Sequence, residues 1–263
     1  MAESTQRFDD GAAYERFMGR WSRAVGGDFL RWVGAPQHAD WIDVGCGTGI
    51  FTQLILDTCA PRTVIGIDPE PAQIEHARRQ SFASRADFRV GDAQQLPFDA
   101  ASFEIVASAL VINFVPDRTK ALEEMRRVGR PGGIIAGYVW DFAAEASPSW
   151  PMRMGLQKQG YHIADRPGTE DSTIVALQAL FTRVGLEAVS TTTFEVTVPY
   201  PNFDDFWQAQ TPSFSPITKK LSAMTVAERS VARKSVRSLV SVGPDDQITY
   251  SARAHAIKAR IPG

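Results

Sequence analysis

The chain has 263 residues, a formal net charge of −2, and 44% hydrophobic against 22% charged residues, a balance that gives no general attraction to nucleic acid or to an anionic membrane. Its two cysteines are too few for a disulfide framework, no apolar run reaches a membrane-spanning length, and the N-terminus lacks a secretion signal. The expectation is a cytoplasmic protein with one core and a cover, no membrane or nucleic-acid partner, and a ligand to be read from local sites.

Residues 11–33 carry Y-E-R-F-M-G-R-W-S-R and end in F-L-R-W-V. They predict a short helix, a break at Gly19 and a second helix leading to the first strand, so that residues 1–40 form an N-terminal helical cover. Tyr14, Arg20 and Trp21 cluster there. They suit either the outside of a sheet or a cover over the polar end of a ligand.

Next comes W-I-D-V-G-C-G-T-G at 41–49. Trp41, Ile42 and Val44 read as a buried strand, the glycines at 45, 47 and 49 permit a sharp turn, and Phe51, Leu54, Ile55 and Cys59 recur at helical spacing. Strand, glycine turn and helix make the unit that presents backbone N–H groups and a helix N-terminus to a polar ligand. The usual dinucleotide fingerprint would put its third glycine at position 50, where this chain has Ile50. Asp43, at the strand end, would repel a pyrophosphate but could hold an ammonium group by charge-assisted hydrogen bonds. The expected ligand is therefore a cationic nucleoside.

T-V-I-G-I-D at 63–68 is a second strand ending in Asp68, 23 positions after Gly45, close to the spacing that brings a carboxylate to ribose hydroxyls. Pro69 follows, and Pro71 opens a helix. A-D-F-R-V at 86–90 and F-E-I-V-A-S at 103–108 are strands three and four. The loop G-D-A-Q-Q-L-P-F after strand three could offer Asp92 and the Ala93 N–H to an adenine, with Leu96, Pro97 and Phe98 as apolar wall. Asp117 precedes a helix closed by G-R-P-G-G, and I-I-A-G-Y-V-W is strand five.

Five strand–helix alternations predict an α/β parallel sheet wound on both faces, with ligands above the carboxyl ends of the strands. Residues 141–172 read as a loop-rich insertion and 172–184 as a helix. Strands are expected at 187–198 and 247–257. Between those two strands, residues 199–246 read as a cap with Phe203, Phe206, Trp207 and Phe214 as apolar surface. Within it, Thr225 and Glu228 form a capping box for a helix whose Arg229, Arg233, Lys234 and Arg237 read as a solvated face.

Together, D-V-G-C-G-T-G, Asp68, G-D-A-Q-Q-L-P-F, A-S-A-L-V-I-N-F and R-P-G-G-I resemble the class I S-adenosylmethionine-dependent methyltransferases, nearest to the small-molecule group that includes the ubiquinone and menaquinone C-methyltransferases. The resemblance implies a Rossmann-like, seven-stranded, mostly parallel sheet with an antiparallel last strand. The core would span 41–198 and 247–263, and a helical cap or lid 199–246. It implies S-adenosyl-L-methionine as cofactor, with Asp43, Gly45, Cys46 and Gly47 around the methionine moiety and Asp68 with Pro69 at the ribose. Asp92, Ala93 and Gln94 would meet the adenine, and Ala109 and Leu110 would lie near the sulfonium. By a further resemblance of the N-terminal segment, Tyr14 and Arg20 would approach the cofactor carboxylate.

Around the expected mouth, Asn113, Tyr138, Trp140, Asp141 and His162 are the candidates for work on an acceptor, and none forms a recognisable catalytic pair. The histidines at 38, 76, 162 and 255 lack metal-ligand spacing. A-S-A-L after strand four is unlike the N-P-P-Y type of motif that grips a planar amino group, so a small, partly apolar hydroxyl, carboxyl or amine acceptor is favoured, covered by the aromatics of 199–216 with Trp150 and Trp140. A non-catalytic cofactor-binding regulator and a nicotinamide-dependent oxidoreductase are the alternatives.

Overall fold

The computed structural model describes residues 11–163 and 166–263. Helix α1 (Gly11–Val33) leads into β1 (Asp40–Val44), α2 (Ile50–Thr58), β2 (Thr63–Asp68), α3 (Pro71–Arg78) and β3 (Asp87–Val90). There follow β4 (Phe103–Ala109), α4 (Arg118–Val128), β5 (Gly129–Trp140), α5 (Trp150–Gln157), α6 (Ile174–Arg183) and β6 (Glu187–Tyr200). Helices α7 (Phe203–Ala209), α8 (Pro216–Ser222) and α9 (Val226–Arg237) precede β7 (Ser241–Val242) and β8 (Ile248–Arg260).

Among the described residues the strands form one eight-stranded sheet in the order β3-β2-β1-β4-β5-β8-β6, with β7 paired to β8 off that path. Strands β1 to β5 are mutually parallel, and β8 runs antiparallel to both neighbours, β5 and β6. The sheet thus holds the expected seven strands with their antiparallel member, and the eighth is the two-residue β7. The chain leaves β1 toward β2 on one side and returns to place β4 on the other. That reversal opens a crevice above the carboxyl ends of the central strands.

Parallel strands in the middle of such a sheet are buried on both faces, which is why β1 is apolar on both. Trp41 joins a core shared with Phe29 of α1, Ile55 of α2 and Ile74 of α3, whereas Ile42 and Val44 join one with Leu122 and Met125 of α4 and Phe181 of α6. Burying side chains of this size contributes roughly 2 to 3 kcal/mol each. No described helix is long and apolar enough to cross a membrane.

Three local expectations are corrected. Gly19 does not break α1, which is a continuous helix of 23 residues. Gly19 is buried where α1 crosses the start of α2, and a Cβ there would lie 3.6 Å from Ile50 Cδ1, so close packing offsets its weak helix propensity. The 141–172 stretch contains α5, stabilised where Val236 of α9 fills the space a Gly155 side chain would take. The G-R-P-G-G segment after α4 already belongs to β5, with an irregularity in its register against β4.

Helix α7 packs against α1, and α9 against α5. Asn202, Ser215 and Thr225 cap α7, α8 and α9 through side-chain hydrogen bonds, and Thr225 with Glu228 completes a capping box. Phe203, Phe206 and Phe214 are buried. Phe214 meets Phe17 edge-on at 6.3 Å, and Trp21 Nε1 donates to the Tyr200 hydroxyl at 2.9 Å. The expected solvated face of α9 holds for Arg229 and Lys234, whereas Arg233 and Arg237 lie over Phe203 at 5.1 and 5.4 Å.

Candidate active site

The glycine turn sits at the carboxyl end of β1. Gly45 and Cys46 donate to the Ile67 carbonyl at 2.7 and 3.0 Å, tying the turn to β2. Gly45 has φ +81°, and a Cβ on it would meet the Val111 methyls at 2.5 Å. Gly47, at φ +53°, would meet nothing nearer than Gln73 Oε1 at 3.9 Å. The protein itself fills the space beside Gly45 and leaves the space beside Gly47 open. Helix α2 starts at Gly49 without a side-chain cap, so its first N–H groups remain to be satisfied.

Asp43 lies under this turn and is completely buried. Its Oδ2 accepts from Thr52 Oγ1 at 2.7 Å, while Oδ1 has no hydrogen-bond partner among the described residues. Burial, reinforced by the charge of Asp68 and opposed by Thr52, pushes the Asp43 carboxyl up to about 7. A cation beside Oδ1 would restore the ionised form, whereas a phosphate would add negative charge where one charge is already disfavoured. Cys46 is buried and free, and burial pushes its thiol well above the usual range.

At the end of β2, Asp68 Oδ2 accepts from Gly47 N at 2.9 Å and Oδ1 from Glu70 N at 3.0 Å. Pro69 fixes the backbone between them. Burial raises the Asp68 carboxyl, and the two N–H groups oppose it. The carboxylate is thereby aimed across the glycine turn with lone pairs left for a vicinal diol. After β3, the exposed Asp92 accepts from Gln94 N at 2.8 Å and from Gln94 Nε2, and Ala93 beside it is buried. Gln94 also accepts from Asp117 N at 3.1 Å, joining this loop to the start of α4.

Past β4 the backbone turns sharply at Leu110, a non-glycine residue at φ +63° whose N–H donates to the Tyr138 carbonyl at 2.8 Å. Such a conformation costs roughly 1 to 2 kcal/mol and persists because β5 and Val111 hold it. It turns the buried Leu110 side chain into a pocket lined also by Phe17, Met18, Phe114, Trp140 and Phe142. Pro148, Ser149 and Arg166 complete the wall. Trp140 Nε1 is enclosed without a hydrogen-bond partner.

Gly45, Cys46, Gly47, Asp43, Asp68 and Pro69 are brought together at the tips of β1 and β2, with Asp92, Ala93 and Gln94 beyond β3 and Ala109 and Leu110 beyond β4. Arg20 is engaged elsewhere, donating to Asp205 Oδ2 at 2.8 Å and lying over the Tyr200 ring at 5.1 Å. Tyr14 falls in α1, and its side chain lies outside what the structure describes.

Trp140 lines the cavity, but the 199–216 aromatics and Trp150 do not. Its cover comes instead from α1 and from the segment between β5 and α6. Asn113 is buried with both amide atoms unpartnered. Asp141 is occupied by Arg253 Nε at 2.8 Å and His255 Nε2 at 3.1 Å, and His162 is exposed. The sequence reading missed Phe17, Met18 and Arg166, which reach one cavity only through the tertiary fold. Among the described residues no group of three or more His, Cys, Asp or Glu could hold a metal ion.

Residues 42–137, from β1 into β5, match the family model of a methyltransferase domain. The malonyl-[acyl-carrier protein] O-methyltransferase of Serratia marcescens is 31% identical over 130 residues, covering 47% of this chain and 49% of that protein. The chloroplastic 2-methyl-6-phytyl-1,4-hydroquinone methyltransferase 2 of Oryza sativa subsp. japonica is 37% identical over 93 residues, 35% of this chain and 27% of that protein. The matches span between 25% and 56% of the length of such curated relatives. The solved Haemonchus contortus phosphoethanolamine N-methyltransferase 2, in complex with S-adenosyl-L-methionine, aligns with a TM-score of 0.60 at 16% identity, over 99% of this chain and 59% of that one. That likeness shows the fold.

Proposed function

We propose that residues 42–137, which match a methyltransferase domain, belong to the class I S-adenosylmethionine-dependent methyltransferases, and that the chain transfers a methyl group from S-adenosyl-L-methionine to a small, partly apolar acceptor. The observation that carries the reading is the enclosed Asp43 carboxylate, at the end of β1 where the glycine turn begins, with its Oδ1 unpartnered among the described residues. An ammonium-bearing nucleoside satisfies that oxygen, and a pyrophosphate does not.

The bound cofactor supplies a methyl on a sulfonium that is its own leaving group, so the protein's contribution is positioning and exclusion of water. In this reading Asp43 receives the ammonium, the backbone of Gly45, Cys46 and Gly47 surrounds the methionine moiety, and Asp68 beside Pro69 takes the ribose hydroxyls. Asp92, Ala93 and Gln94 meet the adenine edge. Ala109 leads to the pocket that Leu110 helps to line, where the acceptor lies. No carboxylate or histidine is among the cavity's lining residues, so the acceptor brings a nucleophile that needs no base, such as a carboxylate, a neutral amine or an activated carbon.

Of the expected cover over residues 1–40, residues 1–10 lie outside the described residues; in this reading α1 covers the site through Phe17 and Met18, and residues 199–246 form a helical cap on the core of 41–198 and 247–263. A cytoplasmic setting suits the two free cysteines. The test is release of S-adenosylhomocysteine from S-adenosyl-L-methionine in the presence of a panel of aryl and alkyl acids, phenols and amines. Turnover with at least one compound is expected, with kcat/KM reduced about tenfold to a hundredfold in Asp68→Ala. Cofactor binding without turnover across the panel would favour a non-catalytic binder, and binding of NAD in its place would favour an oxidoreductase.

A further inference from the structure

Arg166 is the one charged side chain among the residues lining the acceptor cavity. Its Nη2 donates to Ser149 Oγ at 2.7 Å, its guanidinium lies over the Phe142 ring at 5.3 Å, and its Nε is enclosed without a hydrogen-bond partner. No carboxylate among the described residues pairs with it. Burial and the nearby charge of Arg153 bring its pKa down to about 10. A guanidinium held in an apolar wall is costly unless an anion completes it. The remaining wall offers only the rings and side chains of residues such as Phe17, Leu110 and Trp140, with the Ser149 hydroxyl already bonded to Arg166.

We propose that Arg166 anchors the carboxylate of an apolar monocarboxylic acid, so that the acceptor is an aryl or alkyl acid whose body fills the cavity beneath α1. The planar fork of a guanidinium matches the two oxygens of a carboxylate, and one cation balances one charge, whereas a phosphate dianion would leave a second charge in an apolar enclosure. The apolar walls then set the size of the acid, and Arg166 sets which end enters.

The inference rests on the methyltransferase reading, and calorimetry with 1-naphthoate, 1-naphthamide and 1-naphthyl phosphate, each with S-adenosylhomocysteine present, separates the two. The wild-type chain should bind 1-naphthoate roughly tenfold to a hundredfold more tightly than the uncharged 1-naphthamide of similar shape. Arg166→Met should remove that preference while leaving S-adenosylhomocysteine affinity and the circular dichroism spectrum unchanged. Arg166→Lys should restore part of it. A purely structural Arg166 would not move the ratio between acid and amide.

Equal binding of acid and amide, with S-adenosylhomocysteine still bound, would overturn the inference alone. Tighter binding of 1-naphthyl phosphate would overturn the assignment to a monocarboxylate. Failure to bind S-adenosylhomocysteine at all would overturn the functional reading beneath it.

Discussion

Asp43 ties the chemistry of the site to pH. Its folded-state pKa, about 7, lies above the ordinary 3.8, so the folded chain keeps a proton that the unfolded chain has lost between those values. The stability linked to that proton is fully present at low pH and falls as pH rises toward 7, by an amount on the order of 4 kcal/mol. Asp43→Asn should flatten this dependence and raise the melting temperature at pH 8 relative to wild type. A parent and variant with parallel melting curves from pH 5 to 8 would contradict it. Cofactor affinity should run the opposite way, tightening as pH rises through about 7 because binding an ammonium requires the ionised carboxylate, with a released proton visible as a buffer-dependent binding enthalpy.

Within three residues the glycine turn passes from a position that the protein fills, at Gly45, to one that it leaves open, at Gly47. Gly45→Ala would drive a methyl to within 2.5 Å of Val111 and should lower stability by about 2 kcal/mol or more. Gly47→Val meets open space within the protein, so beyond the strain of its positive φ its main effect should be at least tenfold weaker S-adenosylhomocysteine binding. Unchanged affinity in Gly47→Val would place the ligand elsewhere. These residues were legible in the sequence because each is dictated by local backbone geometry: a sharp turn after a buried strand, a carboxylate at a strand end. Arg166 was not, since its importance comes from the convergence of Met18, Trp140 and Ser149 from distant parts of the chain.

Among the elements, α1 joins the α2 side of the sheet to the proposed acceptor pocket. It packs on α2 at Gly26, where a Cβ would lie 2.6 Å from Leu54 Cδ1 and 3.5 Å from Phe51 Cδ2, and it carries Phe17 and Met18 onto the cavity. Gly26→Val should therefore destabilise the chain by roughly 1 to 3 kcal/mol and raise KM for the acceptor more than for the cofactor. Equal changes in both would contradict a covering role for α1. The continuity of α1 was hidden because Gly19 resembles a breaker in isolation, and only its buried place beside Ile50 shows why a small residue serves there. The periodicity of α2, α4 and α6 and the alternation in β6 and β8 were readable, because one face of each meets the core.

For the whole molecule, the last strand closes the fold. Strand β8 hydrogen-bonds to β5 from Ala254 to Arg260 and to β6 from Ile248 to Arg260, so a chain ending at Asp246 would expose two strand edges and lose Ile248, Ala252, Ala254, Ala256 and Ile257 from the cores. Size-exclusion chromatography and circular dichroism should show that this truncation does not fold, and a monomeric, cooperatively melting product would contradict the place given to β8. The doubly wound sheet was legible from alternating strands and helices. The packing of the cap against α1 and α5 was not, because its aromatic residues signal burial without saying against what.

The most direct test is isothermal titration of the purified chain with S-adenosylhomocysteine, at pH 6 and pH 8, in wild type, Asp43→Asn and Asp68→Ala. One saturable site per chain is expected, tighter at pH 8 than at pH 6 in wild type and in Asp68→Ala but not in Asp43→Asn, with Asp68→Ala weaker by about 1 to 3 kcal/mol while still folded. Absence of binding, or affinity indifferent to pH and to both aspartates, would contradict a cationic nucleoside held across the ends of β1 and β2.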